Sequence, residues 1–165
     1  RLILNSGADK ISINTPAIEN PILINELAKT FGSQCVTVGI DSMQESGQYI
    51  VYSKTGSVKT SFNTKILTKD WIIKIQELGA GEIVLNCMNQ DGVKRGFDIK
   101  QLNYMSDVIN VPLIASGGAG KEIDFYNVLN NPKISGALAA TVFNNSKIQI
   151  EDLKNFLKQN NIHIR

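Results

Sequence analysis

The chain has 165 residues, 42% of them hydrophobic and 19% charged, with 17 basic against 15 acidic side chains and a formal net charge of +2. That length suits one packed domain, residues 1–165, and the apolar share excludes a disordered chain. No apolar run nears the ~18 residues of a membrane span, and no Lys/Arg block offers nucleic acid a footprint, so neither partner is expected.

In chain order, Arg1 to Gly7 reads as the last turn of a helix closed by a glycine cap rather than as a natural start, so an N-terminally truncated sequence is expected. Nothing there resembles a secretion signal, and a cytoplasmic location is the default. Five short apolar runs predict strands: Lys10 to Asn14, Cys35 to Asp41, Glu82 to Asn86, Pro112 to Ser116 and Gly136 to Ala140, of the kind that fill a parallel sheet covered on both faces. Apolar spacing of three and four predicts helices over Pro21 to Thr30, Lys69 to Leu78, Asp98 to Val108, Lys121 to Leu129 and Glu151 to Gln159. The exception to this βα alternation is Tyr49 to Ser61. There Tyr49-Ile50-Val51-Tyr52 and Val58-Lys59-Thr60-Ser61 flank Lys54-Thr55-Gly56, the pattern of a polar β-hairpin inserted after the second strand, where it would cover a site.

An internal repeat chooses between the two architectures that five parallel strands allow. Gly7-Ala8-Asp9-Lys10-Ile11-Ser12-Ile13-Asn14 lines up with Gly79-Ala80-Gly81-Glu82-Ile83-Val84-Leu85-Asn86, an offset of two βα units. Such repetition is natural in a barrel, whose strands are equivalent by rotation, and awkward in an open sheet whose strand order reverses. A closed (βα)8 barrel takes roughly 200 to 250 residues, so the expected fold is α/β, part of a TIM barrel.

In a barrel, chemistry belongs at the C-terminal strand ends. Here these ends are polar: Asn14-Thr15, Asp41, Asn86 with Asn89-Gln90-Asp91-Gly92 in its loop, Ser116-Gly117-Gly118-Ala119-Gly120, and Ala140-Thr141. Asp41 follows a buried-type run, which places a carboxylate for proton transfer where the strand surfaces; the plain alternative is a helix-capping or loop aspartate. Asp91-Gly92 reads either as a tight turn or as a carboxylate facing the mouth. The glycine run from Gly117 lets backbone N–H groups approach a phosphate, though such glycines also serve close strand–helix packing. Ala140 and Thr141 would line the same pocket, and Asn14-Thr15 on the far side hints at a second anion site and so at a substrate with two phosphates. Cys35 and Cys87 sit in separate apolar runs and read as reduced core thiols. No metal cluster, Cys–His nucleophile pair or dinucleotide fingerprint is present, and no cofactor is expected. His163, the only histidine, reads as a surface residue, and Trp71 and Tyr126 as outer-layer packing.

Six segments together carry a resemblance: Gly7 to Thr15, Val38-Gly39-Ile40-Asp41, Gly79 to Asn86, Met88-Asn89-Gln90-Asp91-Gly92-Val93, Gly96-Phe97-Asp98 and Ala115 to Gly120. In order and interval they resemble the cyclase subunit of imidazole glycerol phosphate synthase, a βα barrel of histidine biosynthesis. Where many members have Asp-Arg-Asp-Gly-Thr, this chain has Asn89-Gln90-Asp91-Gly92-Val93, which keeps the Asp-Gly pair.

The resemblance implies a lyase that takes ammonia from a glutaminase subunit, as a heterodimer, and acts on a bis-phosphorylated ribulosyl aminoimidazole carboxamide ribonucleotide. It makes this chain strands four to eight, with Asp41 as one of two catalytic aspartates and the other on the missing first strand. It further implies that Asn14 and Thr15 hold one phosphate, that Asp91, Gly92, Gly117, Gly118, Ala140 and Thr141 hold the other, and that Lys10 and Glu82 ring the ammonia entrance with Asp9 facing the glutaminase. The 165 residues alone are then expected to bind phosphate without turning over. Two other readings share the pattern. One is the sister sugar isomerase of the same pathway, against which Gly96-Phe97-Asp98 and the Lys10/Glu82 pair count. The other is a phosphate-binding βα module or flavodoxin-like receiver without catalysis, against which Asn14-Thr15 counts, because a receiver gathers acidic residues there.

Overall fold

The computed structural model describes residue 4 and residues 6–164. Part of the expected N-terminal helix turn, residues 1–3 and 5, lies outside them; Leu4 is helical, and Gly7 closes the turn with φ +96° and its N–H on the Leu4 carbonyl at 3.0 Å. Then follow β1 (Ile11–Ile13), α1 (Thr15–Glu19), α2 (Ile22–Phe31), a single 3-10 turn (Ser33–Cys35), β2 (Val36–Glu45), β3 (Gln48–Ser53), β4 (Phe62–Leu67), α3 (Thr68–Glu77) and β5 (Glu82–Cys87). The chain continues with α4 (Ile99–Ser106), β6 (Leu113–Ser116), α5 (Glu122–Leu129), β7 (Gly136–Leu138), α6 (Thr141–Asn144) and α7 (Ile150–Gln159).

The seven strands form one open sheet. Strands β1, β2, β5, β6 and β7 are parallel and lie side by side in chain order, while β3 and β4 are antiparallel additions. Sequential order decides where the helices go: right-handed crossovers that always step the same way put every helix on the same face. The flavodoxin-like alternative needs a reversal of strand order, and there is none among these five. The sheet is therefore covered by helices on one face only, which corrects the expectation of cover on both.

Register and burial agree with this. Val36, Val38, Ile40, Ile83, Leu85, Cys87, Leu113 and Ala115 are buried and share one core with Ile24, Trp71, Ile72, Ile75, Leu102, Met105, Phe125, Leu153 and Leu157 of the helices. Each such side chain stabilises the fold by roughly 1.5–3 kcal/mol relative to exposure. The alternate positions, Thr37-Gly39-Asp41, Glu82-Val84-Asn86, Ile114-Ser116 and Gly136-Leu138, are in register on the other face. That face is apolar in its middle yet more open, and Leu138 is 46% exposed.

The repeat has a structural counterpart. After α3, the Gly79 N–H reaches the Gln76 carbonyl at 3.0 Å and the Ala80 N–H reaches the Ile75 carbonyl at 3.0 Å, with Gly79 at φ +104°. This double closure requires a left-handed residue and delivers the chain into β5, as Gly7 does into β1. Expected helix and strand bounds differ from those observed by a few residues at most, except in the inserted segment. There the second strand runs on as β2 to Glu45, turns at Ser46-Gly47, and returns as β3.

The other arm of the hairpin is not Val58 to Ser61, as the alternation suggested, but β4. Residues 57–61 bend into a turn, with the N–H groups of Thr60 and Ser61 on the Ser57 carbonyl, and Val58 is 95% exposed. Strand β4 escapes an alternation reading because it is an edge strand with a register shift and with Lys65 at φ +62°. Cys35 likewise departs from expectation: it ends the 3-10 turn half-buried, and only Cys87 is a core thiol, its titration pushed well up by burial. Trp71 is buried, Tyr126 packs against the core, and His163 is exposed. Among the described residues no helix is long and apolar enough to cross a membrane.

Candidate active site

Asp41 stands at a fork in the sheet. One edge of β2 pairs with β1 over Val36–Val38 and then, from Asp41 onward, with β3, while the other edge pairs with β5. Three segments therefore converge on one carboxylate. Asn14, just past the end of β1, donates its side-chain N–H to Oδ2 at 2.8 Å; Asn86 of β5 donates to Oδ1 at 2.8 Å; and Thr55, from the loop between β3 and β4, donates its hydroxyl to Oδ2 at 2.6 Å. Asp41 is 8% exposed. Charge-assisted bonds of this kind are about twice as strong as neutral ones, and three of them hold the carboxylate in one orientation. It is not a helix cap. Asn86, named only as a strand end, belongs to this cluster. Thr55 was missed as a site residue, its one signal being the polar hairpin tip Lys54-Thr55-Gly56.

The strand carrying Asp41 is anchored on its other side. Ser42 Oγ lies 2.7 Å from Thr68 Oγ1 and accepts from Gln101 Nε2 at 2.5 Å, and all three side chains are buried. This ties β2, at the point where it leaves the sheet body, to the first turns of α3 and α4. The hairpin tip is anchored too, because Thr15 Oγ1 accepts from the Lys54 N–H at 3.1 Å and Ser53 Oγ at 3.3 Å, and Lys54 Nζ pairs with Glu19 at 3.0 Å. Asn14 and Thr15, expected at a phosphate, thus contact Asp41 and the hairpin.

On the other side of the mouth, a cavity of about 190 Å³ gathers Asp91, Gly92, Gly117, Gly118, Ala140 and Thr141 with Asn86, Lys94 and Ser116. The fold brings together every residue expected on that side, and it adds Lys94, a cation that motif reading passed over. The glycines also serve packing. A Cβ on Gly118 (φ +110°) would sit 2.1 Å from the Gly96 carbonyl oxygen, and the Gly96 N–H donates to the Gly118 carbonyl at 2.9 Å. The N–H groups of Gly120 and Lys121 are taken by the Asp124 carboxylate, at 2.8 and 2.9 Å, so they are not offered to an anion. The packing reading of the loop therefore holds at Gly118 and Gly120, while Gly117 and Gly118 also line the cavity.

At the N-terminal ends of the strands, Lys10 Nζ lies 2.5 Å from Glu82 Oε2, and Thr37 Oγ1 donates to Glu82 Oε1 at 2.9 Å. The pair spans β2 from the start of β1 to the start of β5; Asp9 beside it is exposed. Among the described residues no three His, Cys, Asp or Glu side chains form a metal site.

A parallel βα sheet in sequential order, with a hydrogen-bonded carboxylate and a small cavity at its C-terminal ends, defines the class of α/β proteins with a TIM-like fold. The chain belongs to the family described as histidine biosynthesis protein, which matches residues 1–149. Over 165 residues, 99% of this chain, it is 53% identical to imidazole glycerol phosphate synthase subunit HisF of Pseudoalteromonas translucida. It is 56% and 53% identical, over the same length, to the subunits of that name from Buchnera aphidicola and Photobacterium profundum. The chain spans 64% of the length of each of these relatives.

Proposed function

We propose that this chain is the five-strand C-terminal part of a (βα)8 barrel, strands four to eight, that acts as the cyclase subunit of imidazole glycerol phosphate synthase. The observation that carries the reading is the Asp41 carboxylate, held by donors from three segments at the C-terminal end of the sheet. In the proposed reaction, a lyase reaction, ammonia from a glutaminase subunit attacks a ribulosyl aminoimidazole carboxamide ribonucleotide bearing two phosphates. Cleavage and ring closure yield imidazole glycerol phosphate and aminoimidazole carboxamide ribotide. Asp41 moves protons between the amine and carbonyl centres as the imine forms and the ring closes, a role typically worth about 10²- to 10⁴-fold in rate.

One phosphate sits in the cavity formed by Asp91, Gly92, Gly117, Gly118, Ala140 and Thr141, whose size and convergence support the assignment. The second falls to the Asn14-Thr15 end of β1, and anchoring at both ends supplies positioning. The opposite end of the sheet receives ammonia: Lys10 and Glu82 stand at its entrance and Asp9 faces the glutaminase. The protein works in the cytoplasm.

The test is an assay of the full-length protein with the bis-phosphorylated substrate and an ammonium salt, with chromatography of both products. Ammonia-dependent formation of the two in equal amounts is expected. Turnover of the sister isomerase's substrate, without ammonia and without release of the ribotide, overturns the reading.

A further inference from the structure

The geometry points to Thr55 as a positioning residue that selects which oxygen of Asp41 exchanges protons with the substrate. This rests on the reading of Asp41 as the proton-transfer group. A carboxylate oxygen has two lone pairs in its plane. Oδ2 accepts from both Asn14, at 2.8 Å, and Thr55, at 2.6 Å, whereas Oδ1 accepts from Asn86 alone, at 2.8 Å. The open lone pair is therefore on Oδ1, on the side of Asn86, which also lines the cavity beside the fork. Without the Thr55 hydroxyl both oxygens would be singly bonded, and the carboxylate could offer either one.

The position of Thr55 is imposed by the fold. The preceding residue is held through its backbone N–H by Thr15 at 3.1 Å, through its ammonium by Glu19 at 3.0 Å, and through its carbonyl by Thr60 Oγ1 at 2.8 Å. Three independent bonds thus fix Lys54 and deliver the next side chain, half-buried, onto Asp41. The inserted hairpin accordingly does more than cover the mouth: its tip supplies one of the three donors that orient the acid.

The experiment compares Thr55→Val, Thr55→Ala and Thr55→Ser with wild type and Asp41→Asn in the full-length protein, under saturating ammonium salt. Melting curves confirm that each is folded. Loss of the hydroxyl in Thr55→Val and Thr55→Ala is expected to lower kcat by about 10- to 100-fold, as small misplacements of a reacting group do, with KM within about twofold of wild type. Thr55→Ser, which keeps the hydroxyl, restores kcat to within about threefold of wild type.

Wild-type kcat in Thr55→Val overturns the proposal, and so does a loss confined to KM, which would make Thr55 a substrate contact. A serine variant as slow as the valine one assigns the role to the methyl group and overturns it as well. The reading of Asp41 fails separately: a wild-type protein without turnover, or an Asp41→Asn variant as fast as wild type, removes that reading and this proposal with it.

Discussion

The two ends of the parallel sheet solve opposite problems with similar residue types. At the C-terminal end, Asp41 is nearly buried and is met only by neutral donors, two amides and a hydroxyl. At the N-terminal end, Glu82 is met by a full positive charge, Lys10, and one hydroxyl, Thr37. A carboxylate bonded to neutral dipoles is oriented while its charge remains available to a ligand; one paired with a lysine is largely neutralised. The difference is what the proposed roles require, a carboxylate free for proton transfer at one end and a neutralised pair at the other.

Breaking the upper cluster should have the largest effect. Asp41→Asn in the full-length protein should cost about 10²- to 10⁴-fold in kcat, and circular dichroism should show the fold retained. Next comes the glycine loop beside it: Gly118→Ala combines a left-handed φ with a clash against the Gly96 backbone, and should destabilise by at least about 2 kcal/mol in urea unfolding. Little change there would mean that the 94–96 loop yields easily and that Gly118 matters only for ligand approach.

Lys10→Met, at the lower end, should cost about 1 kcal/mol, because the lysine is half-exposed while Glu82 is mostly buried and keeps its bond from Thr37. Its sharper signature is kinetic, since under the proposed function glutamine-driven turnover with the proposed glutaminase partner should fall while turnover on free ammonia holds. Equal loss in both would remove Lys10 from the entrance.

The smallest effect is expected at a pair away from both ends. Lys133 hydrogen-bonds Asp107 and holds its carboxyl below the usual carboxylate range, though both are exposed. A lowered carboxylate stabilises above its unfolded-state pKa, and that contribution disappears as pH falls through the folded value. Lys133→Ala should thus melt slightly below wild type at neutral pH and together with it in acid.

Much of this arrangement was legible from one dimension, and the failures are instructive. The five parallel strands announce themselves as short apolar runs, because one face of each packs against helices and the middle of the other is apolar too, and the Gly7/Gly79 repeat marks equivalent helix closures. The cavity residues other than Lys94 were legible because they lie at strand ends or in the short loops that follow them. Strand β4 was not, since an edge strand with a bulge has little burial to impose a pattern. Thr55 was not either: its hydroxyl reaches Asp41 from a loop fourteen positions further along the chain, and no local spacing encodes that return. Asn14 was legible as a strand end but not as a partner of Asp41, because their meeting depends on β2 exchanging β1 for β3 along one edge.

By itself, then, the amino-acid order determined where the five parallel strands and the five longer helices fall and which polar residues stand at the strand ends, because periodicity and glycine closures are local properties. Only the tertiary structure decided that helices cover a single face, that β4 rather than residues 58–61 completes the hairpin, and that Asn14, Thr55 and Asn86 share one carboxylate. Those facts depend on pairing between segments tens of residues apart, where hydrogen-bond geometry rather than local pattern makes the choice.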